Sequence, residues 1–486
     1  MSRLVFQYDL ELPEDIIDLS GVLCSSLSSD VIVPEAIYDK LRTMGSRPGA
    51  HVTFIVSVFG EQYKVIDIRS GPSYSLALDI GTTNIAGVLV DNFSGGRSDI
   101  VSIENPQLKY GSDILSRLQL SIYGDHKAIR DALINGVNEL IVKACKEQNI
   151  SERYIHSVVA AGNTAMSHYF LDHDVSSIPV APYEPAVREP GFLHASAVDI
   201  NVHPEAILYV FPNAGSYVGG DIISGVVSSG QFRSEDLSVL IDVGTNAEIV
   251  IGNSEWLLVS AGAAGPALEE GISAIGKRAE SGVLYDIVIE GDSAECKTFD
   301  GSSPKGVCGS GMVSLIYEMH KCGVIGNDGM LKKGDREDNK EDEVRKYVIP
   351  CSNGGELSIS QTEIENFLRS KAAMFTLLMV LLRSVGLTFS DVKRLYVAGA
   401  LGNGIDIKKA SGIGMLPRWP ASMVSSAGNA SLEGAIRLID DSTVLNEISS
   451  IMRTITYKNM HDDPEFMKEF RGGLFIPHTN PSLLDV

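Results

Sequence analysis

The chain has little that would take it into a membrane. Its most apolar stretch, Ala372 to Leu382, runs 11 residues, against about 20 for a spanning helix, so a buried helix is expected there. The opening residues, Met1-Ser2-Arg3-Leu4-Val5-Phe6, contain no apolar signal core, and a cytoplasmic chain with no membrane insertion is expected. Positive charge is scarce: 40 Lys and Arg stand against 62 Asp and Glu, a net charge of −22. That balance argues against a nucleic-acid binder or a binder of anionic membranes. It also means that a phosphate site here must use backbone donors and a cation. The six cysteines include no C-x-x-C pair, and no His–Cys cluster has zinc spacing. No intrinsic iron–sulfur cluster is expected on that spacing. Disulfides are not expected either, given the compartment. Short-period repeats and low-complexity tracts are also missing.

What is present begins with a duplication. Two apolar runs end in Asp-x-Gly-Thr. One is Leu76-Ala77-Leu78-Asp79-Ile80-Gly81-Thr82-Thr83-Asn84; the other is Val239-Leu240-Ile241-Asp242-Val243-Gly244-Thr245-Asn246-Ala247-Glu248. The aspartates lie 163 residues apart, about one lobe. Each run reads as a buried strand whose glycine permits a tight turn into the next strand. A glycine also lets backbone N–H groups approach a phosphate closely, while threonine hydroxyls add donors. The aspartates would hold Mg²⁺ directly or through water, near the attacking water. One such turn would be an ordinary hairpin; a pair points to a phosphate clamp built from two similar halves.

At 486 residues, 44% hydrophobic and 21% charged, the chain is globular and exceeds one ordinary core. Residues 1–73 read as a small α+β domain. Pro34 to Met44 has helical spacing, and Val52 to Val58 and Gln62 to Ile68 alternate like a hairpin around Gly60-Glu61. Lobe I is expected over 74–238, lobe II over 239–425, and a helical segment packing back on the core over 426–486. Asp113 to Cys145 reads as mostly helical and Tyr154 to Ala161 as a strand. Lys332 to Lys346 is charged and aperiodic, an exposed loop. Glu363 to Val385 follows a Ser360-x-x-Glu363 capping box, and Arg394 to Ala398 is a buried strand.

These residues resemble a known superfamily. The paired hairpins are similar to the two phosphate motifs of the sugar kinase, actin and Hsp70 ATPases. Val397-Ala398-Gly399-Ala400-Leu401-Gly402-Asn403 is similar to the adenosine turn of those proteins. The closer resemblance is to the reductive activators of corrinoid proteins, which use ATP to drive an uphill electron into cob(II)alamin. It rests on Asn105-Pro106-Gln107 with Tyr110-Gly111-Ser112-Asp113 and Arg117, and on Ala161-Gly162-Asn163-Thr164-Ala165-Met166-Ser167-His168. Ser260-Ala261-Gly262-Ala263-Ala264-Gly265-Pro266-Ala267 and Gly306-Val307-Cys308-Gly309-Ser310-Gly311 continue it. Gly428-Asn429-Ala430 with Gly434-Ala435, Pro464-Glu465-Phe466 and Phe475-Ile476-Pro477-His478 complete it. The likeness covers about residues 50 to 480, and Val52 to Ile68 looks like the family's small middle domain. Two departures stand out. No ferredoxin-like module accompanies the likeness, and the adenosine turn reads Ala-Gly-Ala-Leu-Gly where the family usually has Ala-Gly-Gly-Phe-Gly. A cluster-free relative from methanogens, described as a methanogenesis marker protein of anaerobic metabolism, resembles this architecture.

The resemblance implies an α/β, two-lobed actin-like ATPase fold with duplicated ribonuclease H-like lobes after the small domain. It implies ATP and Mg²⁺ as cofactors, with Asp79 and Asp242 catalytic and Asp79, Asp242 and Glu248 on the metal. Gly81, Thr82, Thr83, Asn84, Asn163, Gly244, Thr245, Asn246, Gly265, Gly309, Ser310, Gly399 and Asn403 would contact the nucleotide. Each has a plainer alternative. Glu248 reads equally as an exposed strand residue, Asn163 as a helix N-cap, and Cys308 as a small packed residue. Asp113 and Arg117, at i,i+4, read as a helix ion pair. His168 and His478 are lone histidines, and Gly219-Gly220-Asp221 reads equally as a structural turn or a cleft lining. The function implied is ATP-driven activation of a corrinoid protein or corrinoid methyltransferase, with the electron from a separate ferredoxin-like donor. A homodimer is compatible with it. The alternatives are a small-molecule kinase on the same fold and a non-catalytic nucleotide-dependent scaffold.

Overall fold

In a computed structural model of the chain, each acid–glycine hairpin opens a six-stranded sheet. The structure describes residues 3–15, 18–244, 247–262, 275–277, 280–291, 293–332, 345–352, 354, 357–399, 401, 404–459 and 463–486. The chain divides into two compact units, one made of 1–228 with 430–453, the other of 229–429 with 454–486.

The first unit starts with a four-stranded sheet, in the order Val5–Glu11, His51–Phe59, Gln62–Ile68, Val31–Ile32. His51–Phe59 and Gln62–Ile68 pair antiparallel, as the alternation predicts. The helices Leu19–Leu27 and Glu35–Thr43 bury Leu19, Leu23, Ile37 and Leu41 with Val52, Phe54 and Val56 of this sheet. A six-stranded sheet follows. Its order is Val101–Glu104, Asn84–Asp91, Tyr74–Ile80, Ile155–Gly162, Ile207–Val210, Gly191–His194. Number its first five strands along the chain, and they lie in the order 3-2-1-4-5. The hairpin and third strand are antiparallel, and the fourth and fifth strands run parallel to the first.

The second unit repeats this plan. Val424–Gly428, Arg394–Gly399, Ser238–Val243, Ala247–Gly252 and Leu257–Gly262 occupy the same 5-4-1-2-3 series, with Ile455–Tyr457 added at the edge. A 23-residue helix crosses between third and fourth strands in both units, His126–Gln148 in the first and Gln361–Arg383 in the second. The Ser360 hydroxyl accepts the Glu363 N–H and the Glu363 carboxylate accepts the Ser360 N–H, closing the expected capping box. Ala372 to Leu382 is buried in this helix throughout, so its long apolar run is core. The two-lobed actin-like α/β fold is therefore the observed one.

Two sequence expectations need correction. Cys296, on the strand Ser293–Thr298, is disulfide-bonded to Cys351, with their Cα atoms 5.7 Å apart. A backbone bridge between Ala294 and Cys351 brings the pair together across 55 residues, a proximity that local spacing rules do not register. Asp113 and Arg117 do not form a plain surface pair. Asp113 caps the helix Ile114–Leu120 by accepting the Ser116 N–H, and buried Arg117 donates to Gln107 and the Gly111 carbonyl. The run from 113 to 145 is mostly helical, as expected, with a π turn over Ser121–Asp125 around Gly124, at φ 123°. Most of the expected loop from Lys332 to Lys346 lies outside the described residues, and Lys346 itself begins the strand Lys346–Ile349.

Candidate functional site

In the first unit, Tyr74–Ile80 is buried on both faces and delivers Asp79 at its last turn. The Gly81 N–H donates to the Asn84 carbonyl at 2.9 Å and closes the turn. Asn105 braces it from behind: its side-chain amide donates to the Gly81 carbonyl at 2.9 Å and its N–H to the Thr83 carbonyl at 2.8 Å. Asn163 caps the helix Thr164–Leu171 by accepting the Met166 N–H, and its amide N–H donates to the Thr82 hydroxyl at 2.9 Å. Its N-cap role and its place beside the first hairpin are thus one arrangement. Two distant segments then reach Asp79. Ser431, at the start of the helix Ala430–Asp440, donates its hydroxyl to Asp79 Oδ1 at 2.9 Å. Asp221, near the start of the helix Gly220–Ser229, lies within electrostatic reach. Crowding by protein around its carboxyl raises its pKa above the ordinary carboxylate range, and the negative charge of Asp79 adds to the rise.

Gly434 lets that distant helix come close. A Cβ there would collide with the Ser224 carbonyl, whose own residue donates its hydroxyl to the Ser431 carbonyl at 2.6 Å. The paired carboxyls need a cation or a shared proton to coexist. Two carboxylates with a hydroxyl match the kind of oxygen groups that Mg²⁺ takes from protein at nucleotide sites.

In the second unit, Ser238–Val243 and Ala247–Gly252 pair antiparallel, with Asp242 directly opposite Glu248. Directly opposed residues share one face of a sheet, and like charges so placed repel, which again suits a cation. The strand Arg394–Gly399 lies parallel beside Asp242 and ends at Gly399, where φ is +70°. A Cβ on Gly399 would collide with Asp242 Oδ1 and with the Val243 carbonyl, so only glycine permits this approach.

The structure thus joins Asp79, Gly81, Thr82, Thr83, Asn84 and Asn163 into one cluster, and Asp242, Glu248 and Gly399 into another. Gly244 sits at the second turn as a half-buried bend. Gly309 and Ser310 open the helix Gly309–Lys321, which packs on the strand Val283–Glu290. Cys308 is buried there, its thiol 3.2 Å from the Ser310 hydroxyl and 3.4 Å from the Leu284 carbonyl. Thr245, Asn246, Gly265 and Asn403 lie outside the described residues. Asp221 and Ser431 are the residues that sequence reasoning left off the site, although Gly219-Gly220-Asp221 and the Gly428-Asn429-Ala430 segment flagged their neighbourhoods. Both nitrogens of His168 are engaged, by the Thr164 carbonyl and the Val187 N–H.

Two sheets of one topology, each ending in an acidic glycine hairpin, define the actin-like ATPase class. Residues 236–486 match the family described as the C-terminal domain of RACo, the ASKHA domain, and residues 74–234 match the RACo middle region. The chain belongs to this family of reductive activators of corrinoid proteins. The matched middle region begins beyond the strand pair Val52 to Ile68, where the sequence resemblance had placed it. The chain is 30% identical over 418 residues to the corrinoid activation enzyme RamQ of Eubacterium limosum, covering 83% of this chain and 70% of RamQ. It is 21% identical to a [Co(II) methylated amine-specific corrinoid protein] reductase of Methanosarcina barkeri, over 79% of this chain and 73% of that one. A solved reductive activator for corrinoid, iron-sulfur protein superposes with a TM-score of 0.93 at 32% identity, covering 99% of this chain and 80% of its own.

Proposed function

We propose that this chain activates a separate corrinoid protein at the expense of ATP. The observation that carries the reading is the duplicated acidic hairpin, each copy set beside a second carboxylate: Asp79 with Asp221, and Asp242 with Glu248. The corrinoid half of the reading rests on relatives that act on corrinoid proteins.

In this reading each hairpin is a phosphate clamp for Mg-ATP. Bound Mg²⁺ neutralises phosphate charge and polarises the bond that breaks. Asp79, steadied by Ser431, and Asp242, opposed by Glu248, would ligate Mg²⁺ or its waters. The turn N–H groups and the Thr82 and Thr83 hydroxyls orient the phosphates. The resemblance assigns further nucleotide contacts to Thr245, Asn246, Gly265, Gly309, Ser310, Gly399 and Asn403. Hydrolysis gives ADP and phosphate, and it does work on the partner only if the ATP and ADP states differ in affinity for it. The electron comes from a separate ferredoxin-like donor: one electron leaves the donor and cobalt(II) becomes cobalt(I). A separate donor suits a chain whose six cysteines lack iron–sulfur ligand spacing.

The test is anaerobic. A purified corrinoid protein in the cobalt(II) state, a low-potential ferredoxin-type donor and this chain are mixed with Mg-ATP, and the cobalt(I) spectrum is followed. Cobalt(I) should form with ATP, and neither with ADP nor with an Asp242→Asn variant. ATP turnover that ignores corrinoid proteins and phosphorylates a small molecule would overturn the reading in favour of a kinase.

A further inference from the structure

Away from the hairpins, three side chains of the first unit converge on one point. Asp67 lies near the end of Gln62–Ile68, His156 is the second residue of Ile155–Gly162, and His203 sits in the loop before Ile207–Val210. Asp67 Oδ2 is 3.6 Å from His203 Nε2 and 3.9 Å from His156 Nε2. All three ligand atoms lie within 4.8 Å of one another, and no other group of three or more such residues occurs among the described ones. Neither spacing is a hydrogen bond. His156 is 1% exposed, and its Nε2 has no hydrogen-bond partner among the described residues. Leaving such a buried atom unpaired is costly, so the point calls for an occupant.

The surroundings aim the free atoms there. Asp67 Oδ1 is already used by the Lys40 ammonium at 2.6 Å and the Ile68 N–H at 2.8 Å, which leaves Oδ2. The Ser73 hydroxyl oxygen accepts from the Asn92 amide at 2.8 Å and lies 2.8 Å from His156 Nδ1. A proton on Nδ1, donated to Ser73, turns the Nε2 lone pair toward Asp67. Donor atoms around a tetrahedral ion with bonds of about 2.0–2.1 Å stand roughly 3.4 Å apart. The two spacings from Asp67, 3.6 and 3.9 Å, need to close by a few tenths of an ångström, and the two imidazole nitrogens, within 4.8 Å of each other, close in with them.

We propose that Asp67, His156 and His203 bind one divalent transition-metal ion of the zinc class, with water in the fourth position. Two imidazoles and a carboxylate suit such an ion better than Mg²⁺ or Ca²⁺, which favour all-oxygen sites. The ion ties the N-terminal sheet, through Asp67, to the six-stranded sheet, through His156. Filling the site asks one concession. His203 Nδ1 accepts the Glu205 N–H at 3.2 Å; ligation through Nε2 moves the ring proton to Nδ1 and breaks that bond. The loop stays anchored, because the Glu205 carboxylate pairs with buried Lys64 at 2.8 Å and the Glu205 carbonyl accepts from Lys64 at 3.1 Å. This site is independent of the corrinoid reading.

The experiment uses the full chain, stripped with a chelator and then given Zn²⁺ or Co²⁺ alone. The wild type should retain one equivalent through gel filtration, melt at a higher temperature with Zn²⁺, and show the visible absorption of tetrahedral Co²⁺. His203→Gln and His203→Ala should each weaken retention at least about tenfold and lose the Co²⁺ absorption while unfolding cooperatively. Cys322→Ser, which removes an exposed thiol, should retain the ion, as should Asp79→Asn with its separate Mg²⁺ role. Retention by the wild type no greater than by the His203 variants would overturn the proposal. So would one equivalent that survives His156→Gln and His203→Gln together.

Discussion

The two acidic hairpins match in sequence and in sheet order, yet each gathers its second carboxylate differently. In the second unit the partner is local. Glu248 lies directly across the hairpin from Asp242, six residues on, and the ladder alone puts both on one face. In the first unit the residue opposite Asp79 is Ala86, and the acid arrives from Asp221 on another helix, with Ser431 arriving from more than 350 residues away. Duplicated topology has kept the turn and its first aspartate while leaving the companion acid to come from wherever packing brings one. One half-site is thus fixed by a ladder, the other by helix docking, and they should fail in different ways.

The largest effects should come from the aspartates that the halves share. Asp79→Asn and Asp242→Asn are each expected to lower ATP hydrolysis at least about 100-fold, measured as phosphate release under saturating Mg²⁺. Equal losses would show that both halves are needed for turnover; a loss confined to one variant would break the symmetry. Both apo variants lose a repulsion. Asp242→Asn removes a like-charge cross-strand pair and should stabilise by a few tenths to about 1 kcal/mol, and Asp79→Asn, which keeps a polar group for Ser431, removes the charge beside Asp221 and should stabilise as well.

Next come the two close approaches. Gly399→Ala puts a Cβ against the Asp242 carboxylate at a backbone φ of +70°, so strain and displacement add. Nucleotide affinity should fall at least about tenfold, with a melting temperature several degrees lower, as read by calorimetry. Gly434→Val in the first unit would push the helix Ala430–Asp440 off the Ser224 carbonyl. It should cost about 2–4 kcal/mol of stability and lower affinity through loss of Ser431. A milder change, Ser431→Ala, removes only the bond to Asp79 and should cost about 1 kcal/mol, roughly fivefold in nucleotide affinity.

This difference in construction also explains how much could be read from the chain. The turn residues Asp79 to Asn84, the partner Glu248 and the capping box at Ser360 are local patterns, and a strand period of two or a helix spacing of three exposes them. The duplicated actin-like fold followed from recognising the pair of hairpins. Asp221 was visible only as the end of a Gly-Gly-Asp turn, because its meaning depends on the helix Gly220–Ser229 reaching Asp79. Ser431 and the Cys296–Cys351 bond belong to the same class: contacts that exist only once distant segments are packed. The His–Asp cluster is the extreme case, with three residues from three elements and no spacing that links them.

The smallest effect concerns the helix-docked half alone. The Asp221 carboxyl has its pKa raised in the folded state by burial and by Asp79, whereas in the unfolded chain it ionises near pH 3.9. Its stabilising share is therefore fully present below about pH 3.9 and is lost as pH rises toward the elevated folded value. Asp221→Asn cannot ionise and escapes that loss. Without nucleotide or divalent ions, the variant and the wild type should melt together near pH 4, and the variant should gain on the wild type by a few degrees toward neutral pH. Added Mg-ATP should reverse the order, since a bound cation rewards the ionised pair and has less to hold in the variant. Parallel melting curves across the whole pH range would mean that Asp79 and Asp221 do not share charge, and that the first half-site, unlike the second, works with a single carboxylate.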